Sequence, residues 1–367
     1  MADSVQLALI SQIFEQYDLS GDIIGCTHLT NGHINETYHI RLADRQQSRS
    51  FVLQKINSYV FQEPAKVMNN IQAITRYLNK RKNSRDCGII SFLSSCDGQN
   101  YVVQGNDFWR LCPYIENSTA YETAADPAIL ENAGYAFGHF QEMLADMPMG
   151  ELVDTIPGFH DTPARLDALF RAVAADLQGR AASVYPEIDF FTRHRQMAGT
   201  LAELQQQGVL PLRVTHNDTK CNNILMDSQT ASPLCVIDLD TVMPGLPMHD
   251  FGDAVRFAAN RGAEDETDPR KVGLDWNKYE AFTRGYMRAA KNFLTPAEID
   301  NMALGAAVIT IELASRFLAD HLNGDKYFRI HREGHNLDRA RSQIWLADDM
   351  IGQLDQMQAV VRRYAGI

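Results

Sequence analysis

Hydrophobic and polar residues alternate in short runs near the start of the chain, which is the pattern of β-strands. Residues 23–42, IIGCTHLTNGHINETYHIRL, predict two strands joined by a polar turn around Asn31 and Gly32. Residues 51–57, FVLQKIN, predict a third strand. An amphipathic stretch before these strands predicts an opening helix. The N-terminal part is therefore expected to be rich in antiparallel β-structure.

A helical period interrupts this β pattern once. Apolar residues spaced three or four positions apart predict a helix over 65–81. The run YVVQGNDFWRLCPYI, residues 101–115, then has the alternation of a hairpin, with its turn at Gly105-Asn106-Asp107. The order β-β-β-α-β-β predicts a small antiparallel sheet with one helix.

Helical spacing dominates from about Asn117 onward. Several helices carry start signals, such as Asp126 before a proline at the first helical position. Thr295 and Glu298 have the spacing of a capping box. Helices are predicted over 127–145, 163–178, 274–290 and 296–322. Short β-like runs near residues 213–227 and 235–241 interrupt this helical half.

The chain is therefore predicted to have a two-lobe α+β fold. A small antiparallel β lobe spans residues 1–115, and a larger, mainly helical lobe spans residues 116–367. The connection near residues 113–118 is expected to be a hinge. A chain of 367 residues is also longer than one typical core, which favours two lobes.

Charge and composition exclude several classes of protein. The net charge of −12 argues against a nucleic-acid surface, because phosphate backbones need a basic face. The six cysteines have neither CxxC nor zinc spacing. The N-terminus lacks the basic start of a signal peptide, and no apolar run is predicted to span a bilayer. We therefore expect a cytoplasmic protein without membrane or nucleic-acid partners.

The stretch RVTHNDTKCNNILMD contains residues suited to phosphoryl transfer. His216, Asp218 and Asn223 match the spacing H-x-D-x-x-x-x-N of a kinase catalytic loop, with His216 expected to order the loop. In that arrangement a carboxylate accepts the proton of the attacking hydroxyl, and the amide oxygen ligates Mg²⁺. Asp238, in the following run CVIDLDT, supplies a second hard oxygen ligand. An ordinary surface loop before a buried strand is the alternative, but a carboxylate between apolar neighbours favours a site.

These runs also resemble a known superfamily. THNDTKCNNILMD and VIDLDTVMPGLPMHDFGDAVRF are similar to the aminoglycoside phosphotransferase and choline kinase superfamily, which has a protein-kinase-like fold. Further runs, NGHINETY, FHDTPARLD and RFLADHLNGDKYF, extend the resemblance over nearly the whole chain, to the N-acetylhexosamine 1-kinases. The resemblance implies ATP and Mg²⁺ as cofactors and phosphorylation of the anomeric hydroxyl of N-acetylglucosamine or N-acetylgalactosamine.

The resemblance also implies roles for individual residues. Asp218 is expected to be the catalytic base, and Asn223 and Asp238 the Mg²⁺ ligands. The residues that match sugar contacts are His33, Asn35, Thr241, Phe257, Arg316 and Tyr327. Those that match ATP contacts are Gly32, Gln54, Tyr114 and Ile115.

One position departs from the wider kinase pattern. The strand lysine that holds the α- and β-phosphates follows three apolar residues in V-A-I-K, but this position is Gln54 here. Lys55, one residue later, is expected to point to the opposite face unless a bulge turns it inward. Anchoring of the phosphates by the small lobe is therefore left open.

Other substrates and an inactive protein are the alternatives. The acidic run at residues 264–268 could attract a polycationic aminoglycoside, although such runs are usually solvated loops. Choline or homoserine is another possible acceptor, but choline would need an aromatic cage. The displaced lysine is consistent with an inactive nucleotide-binding scaffold, whereas the intact set Asp218, Asn223 and Asp238 favours an enzyme. The sequence does not predict the preferred epimer or the oligomeric state.

Overall fold

The small lobe is built around an antiparallel sheet. A computed structural model describes residues 4–29, 34–44, 47–80, 87–122 and 126–367. The elements before the hinge are α1 (Ser4–Phe14), β1 (Asp22–Leu29), β2 (Glu36–Ala43), β3 (Ser48–Lys55), α2 (Pro64–Asn79), β4 (Gly88–Ile89), β5 (Val102–Gln104) and β6 (Asp107–Pro113). Five strands form one sheet in the order β1-β2-β3-β6-β5. The predicted β-rich lobe with one internal helix is confirmed.

Alternation along the strands explains the core of this lobe. Phe51 and Leu53 on β3 point into the core of the small lobe, and Leu111 lies opposite Leu53 on β6. Ile10 and Ile13 of α1 cover the same face and are fully buried. The register between β3 and β6 is regular from Phe51 to Lys55, so the faces of this central strand pair are fixed.

The small lobe shares its second core with the large lobe. Helix α2 buries Val67, Ile71 and Ile74 in the same apolar cluster as large-lobe helices. Strand β4 also pairs in parallel with a large-lobe strand, Pro233–Val236. The two lobes are therefore joined both by a shared apolar core and by strand pairing.

The large lobe is mainly helical, as predicted. Its strands are β7 (Ser118–Ala120), β8 (Arg213–Thr215), β9 (Ile224–Asp227), β10 (Pro233–Val236) and β11 (Met243–Gly245). Its helices are α3 (Pro127–Leu144), α4 (Thr162–Ala175), α5 (Tyr185–Gln206), α6 (Pro247–Ala258), α7 (Trp276–Ala290), α8 (Pro296–Asp300), α9 (Met302–Leu322), α10 (His335–Gly352) and α11 (Leu354–Ala365). Helices α5, α6, α10 and α11 extend the helical lobe beyond the four predicted helices.

The predicted helix over 296–322 is in fact two helices. The capping box forms as expected, with Thr295 and Glu298 each bonding the other's backbone. The helix then breaks at Asn301, where the Gln358 side chain from α11 inserts. Its amide donates to the Ile299 carbonyl (2.8 Å) and accepts from the Ala303 N–H (3.3 Å). A contact from 55 residues away in the chain therefore interrupts a locally favourable helix.

Helix α9 corrects the prediction that no apolar run is long enough to span a bilayer. By length and composition, Met302–Leu322 is long and apolar enough to cross a bilayer. However, 78% of its apolar stretch is buried inside the protein. It packs against α6 and α10 and carries Glu312 in its middle, so its composition is that of a central core helix.

Candidate active site

Short strands and a buried carboxylate hold the predicted catalytic loop. Strand β8 leads into the loop and pairs antiparallel with β11. Asn217 has a left-handed backbone (φ 64°), which turns the chain sharply before Asp218. The Asp250 carboxylate on α6 accepts the backbone N–H groups of His216 (2.8 Å) and Asn217 (2.7 Å). Thr241 adds a hydrogen bond to the His216 carbonyl (2.7 Å), so the loop is rigidly placed.

Asp218 is held by a cation and an amide. The Lys220 ammonium lies 2.9 Å from its Oδ1, and the Asn223 Nδ2 donates to its Oδ2 at 3.2 Å. Burial alone would raise the pKa of Asp218, but Lys220 and Asn223 outweigh that effect and lower it below its usual range. The carboxylate is therefore ionised and can accept a hydrogen bond from an incoming hydroxyl.

Asp238 lies beside this loop in a strained backbone conformation. Its φ of 59° and ψ of 57° place it in the left-handed region, which is uncommon for residues other than glycine. Neighbouring backbone bonds fix it, since Ile237 donates to the Asn223 carbonyl (2.9 Å) and its own carbonyl contacts His216 Nε2 (2.9 Å). Burial, followed by the charges of Asp240 and Asp218, raises the pKa of Asp238 to about 7. Such a carboxylate gains stability from a nearby cation.

The oxygen atoms of this site fit a hard divalent cation. Asn223 uses its Nδ2 to bond Asp218, and within the described residues its amide oxygen has no hydrogen bond, so it is available as a ligand. Asp238 supplies a carboxylate oxygen, and its raised pKa indicates a deficit of positive charge there. Mg²⁺ takes one or two carboxylates together with phosphate oxygens and water, so this donor set fits it.

The small-lobe face of the cleft carries Gln54 and Arg110. The regular register pairs Gln54 with Arg110 and Lys55 with Trp109, so no bulge turns Lys55 inward. Lys55 points to the other face, where it lies 3.0 Å from Asp107. The Gln54 side chain accepts from Arg110 Nε (3.0 Å). The predicted alternative of a bulge at Lys55 is therefore wrong, and Gln54 shares the cleft-facing side of β3 and β6 with Arg110. Contact of Gln54 with phosphate stays a prediction.

Comparisons with known proteins agree with this geometry. A family model described as "Phosphotransferase enzyme family" matches residues 25–289, well over half of the chain. The chain belongs to the phosphotransferase enzyme family. The fold and the phosphotransferase class predicted from the sequence are therefore confirmed.

Solved structures of other phosphotransferases have the same fold. A microcompartment-associated aminopropanol kinase has a TM-score of 0.66 at 18% identity, covering 96% of this chain and 98% of that chain. Choline kinase from Cryptosporidium parvum Iowa II has a TM-score of 0.58 at 12% identity, covering 99% and 100%. A spectinomycin phosphotransferase in complex with ADP and spectinomycin has a TM-score of 0.54 at 12% identity, covering 95% and 98%. These relatives differ in acceptor, so the shared fold leaves the acceptor of this phosphotransferase open.

The predicted hinge, near residues 113–118, follows the end of β6. The Tyr114 N–H donates to the Ser50 carbonyl (2.9 Å), and the Ile115 carbonyl accepts from Ser118 Oγ (2.6 Å). The Tyr114 ring packs on His39 with centroids 4.5 Å apart. These bonds hold the hinge backbone in one conformation. Contact of Tyr114 and Ile115 with adenine stays a prediction.

Three of the predicted sugar-binding residues lie on helices or loops of the large lobe. Arg316 projects from α9 into aromatic rings, with its guanidinium carbon 5.8 Å from the Phe159 centroid, 6.0 Å from Tyr327 and 5.5 Å from Phe328. Within the described ranges, its guanidinium has no hydrogen bond or ion pair. Phe257 is half-buried at the end of α6, outside the apolar clusters.

The other predicted sugar contacts have structural partners or lie outside the described residues. The Asn35 amide donates to Asp240 (2.7 Å), and its oxygen accepts from the Asn57 N–H (3.0 Å). Thr241 uses its hydroxyl to bond the catalytic loop. His33 and Gly32 fall in the residues that the structure does not describe. Their contacts with sugar or ATP stay predictions.

A buried acid–histidine pair that the sequence reasoning missed supports the catalytic loop. Glu312 on α9 lies 2.9 Å from His160 Nδ1 and accepts from Thr162 Oγ1 at 2.6 Å. His160 Nε2 lies 3.2 Å from the Asn217 carbonyl, next to Asp218. Burial opposes the charge on His160, but Glu312 outweighs it and raises the His160 pKa. A carboxylate inside the apolar run of α9 was the available signal, because a buried charge needs a partner.

Proposed function

We propose that this phosphotransferase transfers the γ-phosphoryl group of ATP to the anomeric hydroxyl of N-acetylglucosamine or N-acetylgalactosamine. The observation that carries the proposal is Arg316, a half-buried cation inside an aromatic cluster without a carboxylate partner in the described chain. Arg316 lies one helical turn beyond Glu312, which reaches the catalytic loop through His160. An acceptor bound at Arg316 would therefore be close to Asp218.

The charges around Arg316 favour a neutral, oxygen-rich acceptor. Arg165 lies near it and bonds the carbonyls of Gly158 and Phe159 (both 3.1 Å), and it forms no ion pair with the residues described. Burial, followed by the charge of Arg316, lowers the Arg165 pKa, which indicates that the two cations repel each other. The carboxylate Glu312 is already paired with His160. Hydroxyl and acetamido oxygens would relieve this excess of donors, whereas an ammonium group would add to the repulsion.

The same cluster argues against a quaternary ammonium acceptor. A choline site needs aromatic faces around the cation. Here the rings of Phe159, Tyr327 and Phe328 already lie within 6.0 Å of the protein's own guanidinium carbon. The similarity in fold to an aminopropanol kinase and a choline kinase makes an amino-alcohol kinase the second candidate. Arg316 and Arg165 form no ion pair with the described residues, and this favours a neutral sugar over an amino alcohol as the acceptor.

Each group in the cleft has a chemical role in this proposal. Asp218 orients the anomeric hydroxyl and accepts its proton as the oxygen attacks the γ-phosphorus. Lys220 keeps Asp218 ionised and offers a positive charge beside the transferred group. Asn223 and Asp238 would hold Mg²⁺, which neutralises charge on the phosphates when bound. In-line placement by the rigid loop supplies the rest of the acceleration.

An acceptor panel tests the proposal. ADP release is measured with N-acetylglucosamine, N-acetylgalactosamine, glucosamine, choline, 1-amino-2-propanol, homoserine and kanamycin. Glucosamine is the matched control, because it replaces the neutral acetamide by an ammonium group on the same sugar. We expect turnover with the acetylated sugars and a kcat/KM at least about 10²-fold lower with glucosamine. Preference for an amino alcohol or kanamycin over the acetylated sugars would refute the sugar assignment, and the absence of any turnover would favour an inactive scaffold.

A further inference from the structure

In the described part of the small lobe, neither the expected strand position nor helix α2 carries a partner of the ion pair that protein kinases use to hold ATP phosphates. In those enzymes a strand lysine pairs with a helix glutamate, and the pair must be in place for activity. Here the strand position is Gln54, and helix α2, PAKVMNNIQAITRYLN, contains no acidic residue. Lys55 lies on the far face of the sheet with Asp107. Some other group must therefore connect this strand to the cleft.

Arg110 makes this connection between the strand and the cleft. It lies opposite Gln54 in the sheet, and only 1% of its surface is exposed. Its Nε donates to Gln54 (3.0 Å), and its guanidinium carbon lies 4.6 Å from the centroid of the Phe92 ring. Both terminal nitrogens donate to the two oxygens of Asp240, one of them to Oδ2 at 3.0 Å. Such a bidentate pair is available to arginine and not to lysine.

Asp240 connects this pair to the proposed metal site. It lies two residues after Asp238, in the short helical turn Leu239–Thr241, and is 1% exposed. Its Oδ2 also accepts from Asn35 on the small lobe (2.7 Å). We call Arg110, Gln54, Asn35 and Asp240 the interlobe clamp. Arg110 and Asn35 of the small lobe thus both bond the turn that follows the proposed metal ligand Asp238.

We propose that Arg110 is a positioning residue that replaces the missing lysine–glutamate pair: through Asp240 it fixes the placement of Asp238 and the closure of the small lobe over the nucleotide. Each nitrogen of Arg110 already bonds Gln54 or Asp240 and its side chain is buried, so we assign it no direct contact with phosphate. Both oxygens of Asp240 accept hydrogen bonds from the small lobe, so we assign Asp240 to positioning and Asp238 to the metal. This inference rests on the nucleotide and Mg²⁺ site of the proposed function, and is independent of which acceptor is used.

The decisive variants separate positioning from simple stabilisation. Arg110→Met leaves Asp240 buried without its partner, so it lowers both stability and function. The double variant Arg110→Met/Asp240→Asn removes one positive and one negative charge together, so the net charge beside Asp238 is unchanged. We expect urea unfolding of the double variant to return most of the way to the wild type. Its affinity for ADP in the presence of Mg²⁺ should stay at least about tenfold weaker than wild type, with a smaller loss when Mg²⁺ is absent.

Two further variants complete the calorimetry and unfolding measurements. Arg110→Lys keeps the charge and loses the bidentate geometry, so it should bind Mg·ADP more weakly than wild type even if Arg110→Met does not fold. Arg213→Met is the matched control, because Arg213 pairs with the buried Glu298 (2.5 and 2.8 Å) and bonds the Phe293 carbonyl, and within the described chain it forms no hydrogen bond to the turn at Asp238 or to the small lobe. It should lose stability and keep Mg·ADP affinity.

Either of two results overturns the inference. Wild-type Mg·ADP affinity in the double variant would show that Arg110 and Asp240 serve only stability. Equal Mg·ADP affinity of Arg110→Lys and wild type would show that the bidentate geometry has no role in positioning. Failure of the wild-type protein itself to bind Mg·ADP is a different outcome, since it withdraws the proposed nucleotide site and this inference with it.

Discussion

The substitution Glu312→Gln tests how helix α9 supports the catalytic loop. Glu312 is 1% exposed and accepts from His160 and Thr162. Glutamine offers one oxygen acceptor without charge, so about one charge-assisted hydrogen bond is lost. We expect the free energy of unfolding to fall by about 2–3 kcal/mol at pH 6. The same change should lower kcat, because the Asn217 carbonyl loses its ordered histidine partner.

The loss of folding stability caused by Glu312→Gln should depend on pH in a defined direction. The His160 pKa is raised in the folded protein by Glu312, so the stabilisation is fully present below the ordinary histidine pKa of about 6.5. It is lost as pH rises through the folded pKa. The destabilisation by Glu312→Gln should therefore be smaller at pH 9.5 than at pH 6, and fall toward about 1 kcal/mol as His160 loses its charge. Glu312, whose pKa is lowered to about 2, stays ionised throughout this range.

Urea unfolding at pH 6 and pH 9.5 measures this difference. Glu298→Gln is the matched control, since Glu298 is equally buried but pairs with Arg213, which stays charged at both pH values. Its destabilisation should be the same at the two pH values. If Glu312→Gln also showed no dependence on pH, His160 would be neutral in the folded protein and the charged pair would be wrong.

Three further predictions concern the proposed site. Asp218→Asn keeps the shape of the base but removes proton acceptance, so kcat should fall about 10²–10⁴-fold with little change in ATP affinity; a near-normal kcat would remove Asp218 from this role. Asp238→Asn should abolish Mg²⁺-dependent nucleotide binding by calorimetry. It should also raise the Tm of the metal-free protein at pH 8 by a few degrees and much less at pH 5, because the pKa of about 7 means that the folded protein carries an unfavourable charge only at higher pH. An unchanged Tm at pH 8 would mean that the charge of ionised Asp238 does not destabilise the folded protein. Arg316→Ala should lower kcat/KM for the sugar by about 1.5–3 kcal/mol in transition-state free energy and leave KM for ATP unchanged; a selective effect on ATP would make Arg316 a phosphate contact.

Local patterns predicted much of the fold because their causes lie within a few residues. Thr295 and Glu298 bond each other's backbone across a single turn, so their spacing sufficed to place the start of a helix. Asp218 and Asn223 lie in one loop, and the structure brings them within hydrogen-bonding distance as their spacing indicated. Alternation along β3 likewise predicted that Lys55 leaves the cleft unless a bulge intervened.

Contacts between distant residues were beyond this reasoning. Arg110 and Asp240 are 130 residues apart, and Glu312 and His160 are 152 apart. In each case the sequence carried a signal, a charge among apolar neighbours, but it could not identify the partner. The break at Asn301 is similar, because a side chain from α11 causes it and no proline or glycine marks it.

The identity of the phosphorylated atom is the central claim, and ³¹P NMR of the product tests it most directly. The protein is incubated with Mg·ATP and N-acetylglucosamine, and in parallel with the methyl glycoside of the same sugar, whose anomeric oxygen is blocked. The account predicts a new phosphate resonance coupled to the anomeric proton with the free sugar, and none with the methyl glycoside. Equal phosphorylation of the methyl glycoside, or a product phosphorylated at another hydroxyl, would contradict it.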